Sequence, residues 1–333
     1  MSGAFHTQDP GFFIHGILQG DVAILSRAIT LVESQNETHR QLAQQIMEGV
    51  MHATGRSFRL GITGVPGVGK STFIESFGKT VVSQGHRLAV LAIDPSSAKS
   101  KGSILGDKTR MEELSVMPGV YIRPSPNSGT LGGVTRSTFE TILLCEAAGF
   151  DFIIVETVGV GQSELAVSRI SDFFLLLMLA GAGDELQGIK RGIMEMADAL
   201  VITKADGANV EKAKAARAEY AHAMHLLQEP ESGWPARTMV CSSLTGQGIA
   251  DVYGMIAEYR QFVNASGYFA AKRQQQQYGL FLSSLEEQLK QRFYDQAGVR
   301  QKMEMISEQS GKGLIQPFIL AKNLLEDFFK GRD

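Results

Sequence analysis

The segment from Gly64 to Ser71 has the composition and spacing of a loop that binds nucleotide phosphates. It reads Gly-Val-Pro-Gly-Val-Gly-Lys-Ser, follows an apolar, strand-like run and precedes an amphipathic helix. The glycines let backbone N–H groups surround a phosphate chain, Lys70 would reach the β- and γ-phosphates, and the Ser71 hydroxyl would hold Mg²⁺. An ordinary glycine-rich turn would leave this close spacing unexplained. The predicted phosphate contacts are Gly64, Val65, Pro66, Gly67, Val68, Gly69, Lys70, Ser71 and Thr72.

A second motif, Thr203-Lys204-Ala205-Asp206, bears on which base the site binds. It is similar to the Asn-Lys-x-Asp element with which GTPases recognise guanine. A carboxylate at Asp206 would accept hydrogen bonds from guanine N1–H and N2–H₂, each contributing about 1.5–3 kcal/mol, whereas adenine offers no such pair of donors. The Lys204 stem would cover the base or the ribose. The alternative is an ordinary turn at the end of a strand.

Thr203 departs from the GTPase pattern, because it replaces the asparagine whose amide bridges the base site and the phosphate loop. A hydroxyl can replace only part of that bridge. We therefore expect the preference for guanine to be retained and the affinity for the nucleotide to be weaker. Further along, Ser242-Ser243-Leu244 resembles the loop whose backbone contacts guanine O6. The predicted base contacts are therefore Thr203, Lys204, Asp206, Ser242, Ser243 and Leu244.

Acidic residues follow the strand-like runs where the γ-phosphate and magnesium would lie. Asp94 and Glu156 end such runs, and Asp107 lies in a glycine-containing loop. Mg²⁺ takes oxygen ligands and keeps several waters, so Ser71, Asp94 and Glu156 are predicted to hold it. For any single acid, a surface turn or a helix cap is the alternative. The residues predicted to take part in hydrolysis are Lys70, Asp107, Glu156 and Gly159, the last two forming a variant of the Asp-x-x-Gly switch.

Two features bear on the control of hydrolysis. Many GTPases place a water-orienting glutamine directly after the switch glycine, but this chain has Val160 there and Gln162 only two positions later. We therefore expect slow intrinsic hydrolysis. In addition, the glycine-rich and charged segment 181–191 follows a further apolar run, and it is either a solvated loop or an additional switch that responds to nucleotide or partner.

Between residues 56 and 262, short apolar runs alternate with longer amphipathic stretches. Near-continuous apolar strands indicate a sheet buried on both faces. We therefore predict an α/β fold, a mostly parallel P-loop NTPase sheet with helical N- and C-terminal extensions. Ligands of such sheets bind at the carboxyl ends of the strands, where most of the polar motifs occur. The predicted strands are Phe58–Thr63, Leu88–Ile93, Val120–Ile122, Phe152–Glu156, Phe173–Leu179, Ala199–Thr203 and Thr238–Cys241.

Helical patterns flank this predicted nucleotide-binding domain in residues 1–55 and 263–333. The N-terminal extension would either cap the core or present a surface to a partner. In the C-terminal extension, apolar residues recur at helical spacing around Leu285 and Leu324 and must be buried against something. A second copy of the chain and the same subunit are both candidates.

Composition narrows the function classes. A net charge of −3 and a pI near 6.2 argue against a general binder of nucleic acid or anionic membranes. Two cysteines cannot form a disulfide framework or a Cys₄ zinc site, and Cys145 and Cys241 lie in apolar surroundings that predict buried thiols. The apolar run at 173–183 is too short to span a bilayer, and no signal-peptide pattern is visible. We expect a cytoplasmic protein that binds neither nucleic acid nor membrane.

Taken together, the phosphate loop and the runs IDPSS, SPNSGTLGGV, ETVGVGQSE, AGAGDELQGIKRGIME and TKAD resemble the MeaB/ArgK family of bacterial G proteins. Mitochondrial relatives of that family are the methylmalonic aciduria type A proteins. The resemblance covers nearly the whole chain and implies a magnesium-dependent GTPase with a SIMIBI-type G domain. It further implies a chaperone for adenosylcobalamin-dependent methylmalonyl-CoA mutase, which gates cofactor loading and protects the mutase, and a homodimer formed through the C-terminal helices.

The same resemblance implies roles for individual residues. The loop from Asp184 to Lys190 matches the third switch of the family, which couples the G protein to its mutase. Asp184, Gln187 and Lys190 would therefore respond to the partner. Asp94, Asp107 and Glu156 would serve magnesium and the switches.

Other function classes fit parts of the pattern. A nickel-type metallochaperone GTPase needs soft or imidazole ligands, yet the seven histidines are scattered, and His222 with His225 resembles a solvated pair. An ATP-dependent kinase linked to amino-acid transport needs adenine recognition, against which Asp206 argues. A binding module with a degenerate site conflicts with the intact Lys70-Ser71 pair. Direct cobalamin binding is not expected, because the chain has no Asp-x-His-x-x-Gly motif.

Overall fold

A computed structural model describes residues 9–94, 111–126, 131–157, 163–181, 191–227, 230–310 and 316–330. Within these ranges, each predicted strand is present, and two of them, β5 and β6, have the predicted bounds. The strands are β1 (Phe58–Gly64), β2 (Leu88–Asp94), β3 (Val120–Pro126), β4 (Phe152–Thr157), β5 (Phe173–Leu179), β6 (Ala199–Thr203) and β7 (Arg237–Val240). The apolar runs therefore located the strands, although β1 to β4 end one to four residues later than predicted and both ends of β7 differ by one residue.

The strands form a single seven-stranded sheet in the order β3-β2-β4-β1-β5-β6-β7. Every neighbouring pair is parallel. All residues of β1, β4 and β6 are buried, as expected for strands covered by helices on both faces. The prediction of an α/β fold with a mostly parallel sheet is confirmed.

Helices follow most of the strands and cover both faces of the sheet. On one face, Phe73 and Phe77 of the helix after β1 pack with Tyr259 and the apolar residues of β1 and β5. On the other, Tyr220 and Met224 pack against β5 and β6. The helices described are α1 (Pro10–Leu18), α2 (Val22–Val32), α3 (Glu37–Val50), α4 (Lys70–Ser83), α5 (Glu112–Ser115), α6 (Leu131–Ala147), α7 (Ser163–Ser168), α8 (Arg191–Met196), α9 (Val210–His225), α10 (Ile249–Ala265), α11 (Tyr268–Tyr294), α12 (Ala297–Ser310) and α13 (Pro317–Lys330).

The N-terminal helices pack on the core, as expected of a capping extension, whereas a partner surface on them stays a prediction. Helices α1, α2 and α3 contact one another and α6. Asp21 and Asn36 cap α2 and α3 by accepting hydrogen bonds from backbone N–H groups of their first turns. Arg123 of β3 donates to Glu33 at the end of α2 and to the Ser26 carbonyl. This segment therefore caps one side of the sheet.

The chain divides into two compact units, Met1–Gln276 and Gln277–Asp333. In the second unit, α12 and α13 contact each other, and the Phe293 and Phe328 rings lie 4.9 Å apart between centroids. Large apolar side chains of this unit are exposed, among them Phe281, Leu289 and Phe318. The proposed boundaries at residues 55 and 262 stay predictions. No helix in the described part of the chain is long and apolar enough to cross a membrane.

A buried ionic network lies at the amino ends of the strands, opposite the carboxyl edge. Arg59 donates through Nε and Nη2 to Glu146 Oε1 at 2.9 and 2.8 Å, and the Ser57 hydroxyl donates to the same oxygen. Arg273 of α11 donates to both carboxylate oxygens of Asp172, at 2.5 and 2.6 Å. Burial alone would disfavour the charged carboxylate, but Arg59, Ser57 and a backbone N–H together lower the pKa of Glu146 below its ordinary value.

Candidate functional site

The predicted nucleotide contacts meet at the carboxyl edge of the sheet. The phosphate loop follows β1, the Thr203 motif follows β6, and Glu156 lies near the end of β4, directly beside β1 with Ile62 as its register partner. Ligands of open parallel sheets bind at this edge. The fold therefore brings together motifs that are distant along the chain.

Glycines give the phosphate loop its shape. Gly67 and Gly69 have φ angles of +75° and +89°, a left-handed conformation that glycine adopts without steric cost. At Gly64, a Cβ atom would lie 2.5 Å from the Leu177 carbonyl oxygen of β5. The buried Val68 side chain anchors the loop in the core. The loop ends at the N-terminus of α4, whose first N–H groups lack intrahelical partners and favour an anion.

The other residues of the loop differ in their exposure. Pro66 and Thr72 are exposed, whereas Val65 and Ser71 are half-buried. Ser71 directly follows the first residue of α4, so its backbone is fixed by the helix. Its hydroxyl is the kind of oxygen donor that Mg²⁺ takes.

Lys70 contacts the loop that it follows. Its ammonium donates to the Gly64 carbonyl at 2.8 Å and to the Val65 carbonyl at 3.3 Å. Burial lowers the pKa of Lys70, and the nearby Glu156 and Glu164 carboxylates act in the opposite direction. The ammonium is thus held at the phosphate loop, where two carboxylates act on it electrostatically.

Thr203 and Lys204 join the second motif to the phosphate loop. The buried Thr203 hydroxyl donates to the Val68 carbonyl at 2.7 Å, across 135 positions of sequence. Lys204 has a φ angle of +56°, and its ammonium donates to the Gly67 carbonyl at 2.7 Å. A bridge to the phosphate loop is therefore present although asparagine is absent. The weaker nucleotide affinity expected for threonine at this position stays a prediction.

Asp206 and the Ser242 segment are also hydrogen-bonded to each other. The Ser242 hydroxyl donates to Asp206 Oδ2 at 2.5 Å, and the Ala205 N–H donates to the Cys241 carbonyl at 3.0 Å. Ser242 is buried, Ser243 is half-buried, and Leu244 is exposed. Ser242, in the loop that follows β7, therefore orients the Asp206 carboxylate. Both cysteines are buried as predicted, and burial raises the pKa of the Cys241 thiol to about 12.

The acidic residues predicted near magnesium have different positions in the structure. Glu156 is buried, and the neighbouring Thr157 hydroxyl donates to the Thr63 hydroxyl at 2.8 Å, which joins the ends of β4 and β1. Asp94 ends β2, one register step beyond the pairing of Ile93 with Thr157. Among the residues described, no group of three or more His, Cys, Asp or Glu side chains is placed to hold a metal ion. Such a closed cage is not needed for Mg²⁺, which is bound through few carboxylates, phosphates and waters.

Several predicted residues lie outside the described part of the chain. These are Asp107, Gly159, Asp184, Gln187 and Lys190.

Glu164, in the first turn of α7, was not singled out from the sequence. It is 2 % exposed, and its charge acts on Lys70. The only sequence signal for it was its position in the run ETVGVGQSE, eight residues after Glu156. The burial of Glu164 and its proximity to Lys70 depend on how α7 packs against β1 and β4.

Replacing Thr203 by valine is expected to weaken GTP binding without preventing folding. Valine keeps the shape but removes the donor to Val68, which leaves a buried carbonyl unsatisfied at a cost of about 1–3 kcal/mol. Because that carbonyl belongs to the phosphate loop, part of this cost should appear as an affinity loss of roughly tenfold. Titration of a fluorescent GTP analogue measures the effect. Thr203→Ser keeps the hydroxyl and should bind almost as wild type; equal affinities for the valine and serine variants would contradict the bridging role.

Comparisons with known proteins show what this chain is similar to. The profile of the family described as methylmalonyl-CoA mutase-associated GTPase MeaB matches residues 25–298. The chain is 47% identical over 307 residues to a probable GTPase of Mycobacterium tuberculosis, covering 92% of this chain and 91% of the relative. It is 46% identical over 323 residues to the mitochondrial methylmalonic aciduria type A homolog of Mus musculus, covering 94% and 78%.

Two further relatives extend the comparison. GTPase ArgK of Escherichia coli is 43% identical over 315 residues, which cover 92% of this chain and 95% of the relative. A crystal structure described as an LAO/AO transport system kinase superposes with a TM-score of 0.76 at 34% identity, covering 96% and 97% of the two chains. These similarities extend over nearly the whole chain.

Proposed function

The chain belongs to the MeaB family of GTPases, and from that premise we propose that its GTP hydrolysis gates cofactor loading of an adenosylcobalamin-dependent methylmalonyl-CoA mutase and protects that mutase. The description of the family names the mutase, and the mouse relative is named for methylmalonic aciduria. The observation that carries the nucleotide part is the pair of hydrogen bonds from Thr203 and Lys204 to the phosphate loop. These bonds join residues 203 and 204 to the loop at residues 67 and 68, which supports a shared nucleotide site.

Hydrolysis by this site would rest on positioning and electrostatics. The N–H groups of the phosphate loop would hold the β-phosphate, and the Lys70 ammonium would exchange its loop carbonyls for β- and γ-phosphate oxygens as negative charge develops there. Ser71, Asp94 and Glu156 offer the hydroxyl and carboxylate oxygens that fit Mg²⁺. When bound, Mg²⁺ neutralises charge on the β- and γ-phosphates. Asp107 and Gly159 are proposed to position the γ-phosphate and the attacking water.

Guanine recognition is proposed for Asp206, with Ser242 orienting its carboxylate and the Ser243-Leu244 backbone contacting O6. Asp206→Asn is expected to weaken GTP binding by at least about tenfold, because two charge-assisted hydrogen bonds are lost. Xanthine has an acceptor where guanine has its amino group, so the same variant should gain affinity for XTP. Competition binding with GTP, XTP and ATP measures this change. If Asp206→Asn keeps the wild-type order of affinities, Asp206 does not read the base.

Partner control is proposed for the segment that contains Asp184, Gln187 and Lys190. Val160 occupies the position where many GTPases orient water with glutamine, so turnover by the isolated protein should be slow. Turnover above about 1 s⁻¹, near the range of activated GTPases, would contradict this part of the proposal. If turnover by the isolated protein is slow, the mutase is proposed to accelerate hydrolysis by completing the site.

Magnesium-dependent GTP hydrolysis with and without the mutase from the same source tests the chaperone role. We expect slow GTP turnover, no comparable ATP turnover, and acceleration on adding the mutase. Lys190→Ala should keep the slow turnover and lose the acceleration, whereas Lys212→Ala, an exposed lysine of α9, should behave as wild type. Turnover that does not respond to the mutase would leave a GTPase with a different client.

Homodimerisation through residues 263–333 is also proposed. The exposed Phe281 and Leu289 of α11 and Phe318 of α13 are apolar surface that a second copy would cover. Phe281→Glu combined with Leu289→Glu should give a monomer in light scattering coupled to gel filtration. Gln288→Glu, a charge added at the adjacent exposed position, should leave the wild-type mass. A monomeric wild-type protein would refute the dimer.

The competing classes lack a supporting observation in the described residues. His222 and His225 are both exposed in α9, and no metal-holding group was found there. The solved relative is named a transport system kinase, but the Asp206 arrangement favours guanine over adenine.

A further inference from the structure

Glu164 is a buried carboxylate with incomplete hydrogen bonding. It belongs to the first turn of α7 and is 2 % exposed. Within the described chain, its Oε2 atom is fully buried and has no hydrogen-bond donor in reach. Buried polar atoms are nearly always paired with protein or with ordered water, so an unpaired carboxylate oxygen points to a donor supplied by a ligand or its hydration shell.

Its surroundings identify the charge of that ligand. Glu164 and Glu156 both act electrostatically on Lys70, and α7 packs against β1 and β4, the strands that carry the phosphate loop and Glu156. Two carboxylates thus act on the ammonium of Lys70, the residue directly before Ser71. A nucleotide phosphate cannot satisfy Glu164 directly, because two anions repel and neither offers a hydrogen. The missing donor must therefore carry hydrogens and be compatible with a local excess of negative charge.

Water bound to a divalent cation meets both conditions. Mg²⁺ keeps several of its waters when it binds at nucleotide sites, and metal-bound water is a strong donor because the cation polarises it. We propose that Glu164 is a positioning residue of the magnesium site, which accepts a hydrogen bond from water bound to the Mg²⁺ that accompanies the nucleotide. This inference rests on the proposed magnesium-dependent GTPase and adds to it a residue outside Ser71, Asp94 and Glu156.

The proposed role of Glu164 predicts different effects on magnesium binding and on nucleotide binding without magnesium. Loss of an outer-shell partner typically costs 10–100-fold in metal affinity. Without magnesium, the same carboxylate only repels the nucleotide phosphates. Neutralising Glu164 should therefore weaken the magnesium-dependent part of nucleotide binding and leave the magnesium-independent part unchanged or stronger.

The test is a titration of fluorescent GDP binding with MgCl₂ and, separately, with excess EDTA. For Glu164→Gln, the Mg²⁺ concentration at half-maximal effect should rise about 10–100-fold, and the GDP affinity in EDTA should equal or exceed that of the wild type. Glu140→Gln removes a charge from a half-buried glutamate of α6 that pairs with Arg136, and it should leave both quantities unchanged.

Two results would overturn the inference. One is a half-maximal Mg²⁺ concentration for Glu164→Gln within about twofold of wild type, well below the outer-shell range. The other is an equal loss of GDP affinity with and without magnesium, which would make Glu164 a structural partner of Lys70. If the glutamine variant lacks the wild-type circular dichroism spectrum, Glu164→Asp, which retains the charge but shortens the side chain, decides by the same thresholds. A wild type insensitive to Mg²⁺ would instead refute the magnesium part of the proposed function.

Discussion

Lys70→Ala is expected to lower the rate of GTP hydrolysis by at least about 10²–10³-fold while the protein keeps its fold. Removing a single preorganised donor that stabilises transition-state charge has an effect of this size. The structure places the Lys70 ammonium on the carbonyls of Gly64 and Val65, beside the loop amides that are proposed to hold the phosphates. Single-turnover hydrolysis at saturating protein concentration measures the chemical step separately from binding.

The fold should tolerate this substitution, since burial lowers the pKa of Lys70 and so already disfavours its charged form in the folded protein. Lys79→Ala provides the matched control. Lys79 is on the same helix α4, but it pairs with Glu113, away from the loop. The Lys79→Ala variant should retain the wild-type rate of GTP turnover. A Lys70→Ala rate within threefold of the control would refute the assignment of residues 64–71 as the phosphate site.

Arg59→Met is expected to destabilise the protein by about 3–5 kcal/mol at neutral pH, the usual effect of removing one partner from a buried ion pair. Arg59 and Glu146 are both almost fully buried, and methionine would remove the guanidinium that hydrogen-bonds Glu146, leaving that of Arg273, at 3.7 Å, as its ionic partner among the described residues. Urea unfolding followed by circular dichroism measures the difference in free energy. Lys214→Met removes one partner of an exposed pair with Glu211 and should cost less than about 1 kcal/mol.

The same pair predicts a pH dependence. The folded-state pKa of Glu146 lies below its ordinary value of 4.5. A carboxylate of this kind contributes stability above its unfolded pKa and loses that contribution as the pH falls through the folded pKa. The wild type should therefore lose stability below about pH 4.5, and the deficit of Arg59→Met should shrink there because Glu146 becomes neutral. A deficit that is constant between pH 7 and pH 4 would show that Arg59 acts through packing alone.

Much of the fold could be predicted from local sequence because the relevant information is local. A buried parallel strand is a short, nearly continuous apolar run, and β5 and β6 were bounded correctly on that basis. The phosphate loop is likewise encoded by consecutive residues, since Gly67 and Gly69 provide the left-handed φ angles that the turn requires. The order of the strands in the sheet was not predictable, because an apolar run does not specify which strand pairs with it.

The sequence by itself determined the type of chemistry: a lysine and serine after a glycine loop, and an aspartate after a later strand, define a phosphate and base site wherever the chain folds to join them. Only the tertiary structure decided how Thr203 acts, because its hydroxyl bonds to a carbonyl 135 positions away. It also decided that Glu164 is buried near Lys70 and that Arg59 pairs with Glu146. Charged residues alone do not reveal their burial or partners, since both depend on which helices pack over the sheet. Spacing along the chain therefore specifies local motifs, whereas the pairing of distant polar groups is fixed by packing.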